Sequence, residues 1–166
     1  MSVMTQTRQA TGTRLHKSAG FTLLEVLIAL FVLSVGLLGL ASLQAQALRY
    51  NHNAYLRSVA TQQAYDIADR SRANAVGLQN GSYDSITSDP GDPGCISTGC
   101  TPAQVAAFDA FEWYTALSIL LPGGTGTVVA ANPGGAGSLF TVTVTWNELE
   151  TETGPRSISL VTNFRP

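Results

Sequence analysis

The chain has 166 residues, 45 % of them hydrophobic and 12 % charged, with a formal net charge of −2. That length suits one globular domain plus one long appended element. Residues 77–166 set Arg156 and Arg165 against eight acids, and Lys17 is the only lysine, so no electrostatic footprint for nucleic acid is present.

Charge is unevenly placed along the chain. Residues 1–20 hold Arg8, Arg14 and Lys17 and no acid, whereas residues from Phe21 onward hold 6 basic and 11 acidic side chains. A basic start followed by an apolar run is an export signal. Here the run Val26–Leu43 is 18 residues without a charge. An ordinary secretory signal has an apolar core of roughly 7–15 residues. As a helix, this run spans about 27 Å, close to the hydrocarbon thickness of a bilayer. Glu25 stands just before it, where a conventional signal has only hydrophobes. Two rival readings remain at this point. Ala45-Gln46-Ala47 matches the small-residue pattern of conventional signal peptidase, which would release a soluble protein beginning at Leu48. The same triplet is also good helix filler. A plain single-span anchor would keep the basic leader cytoplasmic and face the C-terminal part outward.

No proline occurs between Phe21 and Val76, and the only glycines before Gly77 are Gly36 and Gly39. One helix of about 55 residues is expected over 21–76, with 21–43 as the membrane half and 44–76 as an amphipathic half. Leu56, Val59, Ala60 and Ile67 form its apolar stripe, expected to pack against a C-terminal sheet, and Gly77 reads as the stop. Gly36 and Gly39 either soften the helix or allow close helix packing.

Residues 78–101 read as a loop rich in turn chemistry, Asp89-Pro90-Gly91-Asp92-Pro93-Gly94. Cys95 and Cys100, the only two cysteines, are expected to form a disulfide in an exported domain. Half of a zinc site, with His52 as a further ligand, is the rival reading, but zinc asks for four ligands. Thr101, Pro102 and Gln104 spell a capping box with proline at the first helical position. The helix runs to about Leu121, with Ala106, Ala110, Trp113, Leu117, Leu120 and Leu121 as its stripe. Three strands follow: Thr127–Ala131, Leu139–Trp146 with alternating Phe140, Val142, Val144 and Trp146, and Arg156–Asn163. A glycine-rich turn over Asn132–Gly137 and an acidic loop over Glu148–Gly154 separate them. The head spans residues 77–166 and the expected class is α+β, a long N-terminal helix packed on a small antiparallel sheet with a second short helix.

Residues 17–31, Lys17-Ser-Ala-Gly20-Phe21-Thr22-Leu23-Leu24-Glu25-Val26-Leu27-Ile28-Ala29-Leu30-Phe31, resemble the prepilin peptidase site of type IV pilins and type II secretion pseudopilins. That resemblance implies the type IV pilin fold and cleavage between Gly20 and Phe21, which removes the leader 1–20. It implies N-methylation of Phe21 by the same peptidase, and a role for Glu25 in assembly, pairing with the N-terminal amine of a neighbouring subunit. Further on, Cys-Ile-Ser-Thr-Gly-Cys-Thr-Pro-Ala-Gln, Leu-Pro-Gly-Gly and Thr-Val-Thr-Val-Thr-Trp resemble minor pilins of the pilus-modification kind. The partners implied are other minor and major pilins, the prepilin peptidase, the inner-membrane assembly platform and a tip adhesin. A minor pseudopilin of type II secretion is the alternative.

No enzyme is expected. The mature chain has one histidine, His52, and lacks a Gly-x-Ser-x-Gly context. The glycine-rich turns lack the lysine of a phosphate loop. Asp109 and Glu112, one turn apart, read as a solvated helix face, and no cofactor, metal or small-molecule substrate is called for.

Overall fold

The computed structural model describes residues 20–133, 137–150 and 154–166. The expected leader, apart from Gly20, lies outside the described residues, as do parts of the two expected inter-strand loops. The elements, in order, are α1 (Leu23–Ala73), α2 (Ala75–Gln79), β1 (Ser85–Ile86), α3 (Cys95–Thr98), α4 (Pro102–Leu120), β2 (Thr125–Ala130), β3 (Phe140–Glu150) and β4 (Gly154–Phe164). The chain divides into two compact units, Met1–Gln44 and Ala45–Pro166. In the first, the described residues are helical from Leu23, and every side chain is exposed.

The second unit is a helix-on-sheet α+β fold. Its sheet is antiparallel with strand order β1-β2-β3-β4. Alternation along the strands decides which side faces the core. Val128 and Ala130 of β2, Phe140, Val142, Val144 and Trp146 of β3, and Phe164 of β4 are buried. Leu56, Val59, Ala60, Ala64, Ile67 and Ala68 of α1 bury the stripe that the sequence spells at helical spacing. Ala106, Ala110, Trp113 and Leu117 of α4 complete the core.

Trp113 is fully buried and fixes the centre of this packing. Its indole N–H donates to the Gln63 carbonyl of α1 at 2.9 Å. Its ring lies over Gly126 of β2, where a Cβ would stand 2.9 Å from both Cζ2 and Cζ3. Glycine at 126 is thus the condition for the tryptophan to reach α1.

Four expectations need correction. The long helix stops at Ala73, not at Gly77. Asn74 leaves helical geometry at φ −96°, ψ 62° and caps α2 by accepting the Gly77 N–H. The same side chain donates to the Tyr83 hydroxyl at 3.2 Å and the Pro102 carbonyl at 2.7 Å. Gly77 sits inside α2, where a Cβ would come within 2.8 Å of the Asn74 side chain. Second, residues 78–101 are not all loop, because β1 pairs Ser85 with Val129 and Ile86 with Val128. The Asp89–Gly94 stretch does form two successive turns, with Asp89 and Asp92 accepting the Gly91 and Gly94 N–H groups at 2.8 Å. Third, Leu120 is 40 % exposed and only Leu121 joins the core. Fourth, Glu148 is not a loop residue. β3 continues to Glu150, paired in register with Gly154 of β4. The capping box at Thr101 and Gln104 has both of its hydrogen bonds.

Candidate functional site

The sequence singles out the start of α1, and the structure gives it a definite form. Thr22 occupies the capping position. Its carbonyl accepts from the Val26 N–H at 3.3 Å, and its Oγ1 accepts from the Glu25 N–H at 3.3 Å. A hydroxyl that receives the third helical N–H satisfies one of the donors a helix leaves unpaired. Glu25 therefore falls in the first turn, where a carboxylate complements the positive end of the helix dipole. Among the described residues it makes no ion pair. Gly20 and Phe21 precede the helix and are exposed, Phe21 at 81 %. The peptide bond between them lies outside the helical hydrogen-bond ladder of α1, which begins at Leu23.

Beyond Glu25 the helix is long and apolar enough to cross a membrane. Its most apolar 18-residue window has a mean hydropathy of 2.6, and none of that window is buried. Ser34, inside it, donates to its own helix at the Phe31 carbonyl, 2.7 Å away, and so needs no outside partner. A Cβ at Gly36 or Gly39 would meet nothing within 4 Å. Among the described residues nothing requires glycine there. An uncovered hydrocarbon surface of this length needs lipid or neighbouring helices to exclude water.

The head holds α1 by polar clasps as well as by packing. Glu148, on the core side of β3, keeps only 8 % of its side chain exposed. Arg57 of α1 grips it with Nε at 3.1 Å and Nη2 at 3.2 Å. That bond, with the charge of Glu148, raises the Arg57 pKa. One turn from the end of α1, Arg70 bonds Asp66 at 2.8 Å and also Glu112, and lies 3.6 Å from Asp109. Partial burial works against the Arg70 charge, but its bonds to Glu112 and Asp66 outweigh it and raise the pKa. Tyr83, fully buried, donates to Asp109 and accepts from Asn74. Burial first, then the bond to Asp109, pushes the Tyr83 pKa well above the usual phenol range.

These contacts revise the reading of Asp109 and Glu112. Asp109 is not solvated but buried, and Glu112, with 41 % of its side chain exposed, also turns to Arg70. Their charges are committed to holding α4 on α1. The Asp66–Arg70 pair, four residues apart on one helix, has local spacing that a sequence can show, as does Asp69–Arg72 three apart. The Arg57–Glu148 pair is 91 residues apart and has no such spacing.

Cys95 and Cys100 are joined, with Cα atoms 5.1 Å apart. The bridge encloses α3 and ends one residue before the Thr101 cap, so it anchors the loop to the start of α4. Among the described residues there is no cluster of three side chains able to hold a metal. His52 is exposed on α1.

A family model described as the prokaryotic N-terminal methylation motif matches residues 15–41. It spans the Gly20–Phe21 bond, the Thr22 cap, Glu25 and most of the apolar run. The match supports a type IV pilin-like protein of a pilus or pseudopilus, membrane-anchored before it enters the fibre. No curated protein matches the chain, and no solved structure does.

Proposed function

We propose that this chain is a minor pilin resembling PilV, the pilus modification protein. It would be processed between Gly20 and Phe21, methylated at Phe21 and held by α1 in the inner membrane with residues 77–166 in the periplasm. It then passes into the tip of a type IV pilus, primes fibre assembly with other minor pilins, and supports twitching motility and adhesion. It is a structural subunit, with no catalytic step of its own. The observation that carries this reading is the methylation motif at residues 15–41, coincident with a capped helix start and an uncovered apolar helix.

Glu25 carries the assembly step. A carboxylate costs about 2.5–3.5 kcal/mol at the centre of a membrane helix on insertion scales and less near the edge, where Glu25 stands in the first turn of α1, and the helix dipole returns about 0.3–1 kcal/mol. The amine released at Phe21 of a neighbouring subunit is the cation that offsets the rest. It fixes axial register because the pair forms at one stagger only.

Glu25→Leu tests this directly. The expected outcome is normal removal of the leader and a membrane pool at wild-type level. Less than a tenth of the wild-type amount should appear in sheared surface fibres. Wild-type incorporation would rule out the pairing role. A deletion that abolishes protein secretion and spares pili would assign the chain to a type II secretion pseudopilus.

A further inference from the structure

Between its apolar run and the residues it buries under the sheet, α1 has a stretch that nothing covers. Residues 44–52 are all exposed, and they circle the helix about 2.5 times. The buried stripe begins only at Leu56. This stretch is therefore open on every side, not along one face.

Its charge has one sign. No acid occurs from Val26 to Tyr65, whereas Arg49 and Arg57 lie within that span, with His52 between them. Arg57 is held by Glu148. Further along α1, Arg70 and Arg72 also have carboxylate partners. Arg49 is the first charged residue after Glu25, and among the described residues it makes no ion pair.

Position along the helix decides what can answer that charge. Arg49 follows Leu43, the end of the apolar run, by six residues, about 9 Å of helix rise. The polar layer outside the hydrocarbon is about 5–8 Å thick in each leaflet. Helical side chains lean toward the N-terminus, here toward the apolar run. Tyr50 shows that lean: its hydroxyl accepts from Gln46 Nε2, one turn back, at 3.2 Å. Arginine near the end of a spanning helix reaches to the interface in the same manner. Leu48, Tyr50 and Tyr55 are exposed around it. Tyrosine suits a membrane interface because its ring is apolar and its tip is wet.

We propose that Arg49, with Tyr50, binds the phosphate of an anionic phospholipid headgroup in the leaflet on the head's side of the membrane. The guanidinium fork matches two phosphate oxygens. Tyr50, whose oxygen already accepts from Gln46, keeps its own O–H to donate to the same group. A fluid headgroup layer surrounds a helix on all sides, as the exposure of residues 44–52 requires, whereas a docked protein covers one side. The bound headgroup fixes how deeply α1 sits, and the subunit sheds it on leaving the bilayer. The inference rests on the membrane-anchored state and not on the pairing role of Glu25.

The test uses the full chain with isotope-labelled arginine and valine in vesicles of phosphatidylglycerol and phosphatidylcholine, in phosphate-free buffer. Solid-state NMR reads the loss of guanidinium carbon signal caused by nearby lipid phosphorus. Comparison with Arg49→Gln subtracts the other arginines, and Arg165→Gln removes an equal charge from the end of the head. The phosphorus contact should persist in Arg165→Gln, and its Arg49-dependent part should vanish in Arg49→Gln. That part should fall at least twofold in Tyr50→Phe and in vesicles of phosphatidylcholine alone. Contacts of Val32 and Val35 with acyl chains, read in the same samples, report the membrane anchor itself. With those contacts present, an unchanged phosphorus signal in Arg49→Gln, or an equal one in phosphatidylcholine, would overturn the proposal and leave the anchor standing. Absence of the acyl contacts would overturn both.

Discussion

Replacing Tyr83 by phenylalanine removes one oxygen from a fully buried site. The hydroxyl donates to the buried Asp109 carboxylate and accepts from Asn74 Nδ2 at 3.2 Å. A hydrogen bond to a charged group contributes about 1.5–3 kcal/mol, and a neutral one about 0.5–1.5 kcal/mol. Asn74 keeps the Pro102 carbonyl, and Asp109 keeps Arg70 at 3.6 Å. The expected cost is therefore near the upper part of the first range, about 2–3 kcal/mol, or a Tm lower by roughly 5–10 °C. Urea unfolding in detergent, followed by the fluorescence of the buried Trp113 and Trp146, reads it. The variant also has a signature in pH. Burial and Asp109 raise the folded pKa of Tyr83 above its ordinary value of 10.0. The folded state thus retains a proton that the unfolded chain releases. Stability from this group is full below pH 10 and falls as pH rises beyond it. Tyr114 is raised too, by burial and then by Asp89, so wild type carries two such contributions and Tyr83→Phe carries one. A loss under about 0.5 kcal/mol, with an unchanged alkaline slope, would refute the reasoning.

Gly126→Ala forces a methyl to within 2.9 Å of the Trp113 ring. It should cost about 1–3 kcal/mol of overpacking and shift the Trp113 fluorescence, as urea unfolding would show. Reduction of the Cys95–Cys100 bridge should lower stability by about 2 kcal/mol on the loop-entropy model. Paired urea melts with and without dithiothreitol measure this, and Thr101 should still cap α4 in the reduced form, seen as unchanged far-ultraviolet circular dichroism.

What the sequence made legible was whatever depends on neighbours in the chain. The stripe Leu56, Val59, Ala60 and Ile67, the Thr101–Gln104 box and the alternation Phe140 to Trp146 are local patterns, and each lies where it was read. The N-terminal motif is local in the same way. The misreadings arise where distant residues override local preference. Gly77 looks like a helix stop, but Asn74 ends α1 because Tyr83 and Pro102 offer it partners. Glu148 opens an acidic run that looks like a loop, but Arg57, 91 residues earlier, draws it into the sheet. Asp109 looks solvated on a helical wheel until Tyr83 and Arg70 close over it. A two-residue strand such as β1 has too little sequence to show alternation at all.

The mature N-terminus is the most direct test of the filament reading. Intact mass and N-terminal sequence should be measured on protein taken from membranes and from sheared surface fibres. A chain that begins at N-methylated Phe21 in both fractions is the expected result. A chain that begins at Leu48 would contradict it, because Glu25 and the apolar half of α1 would then be absent from the working protein.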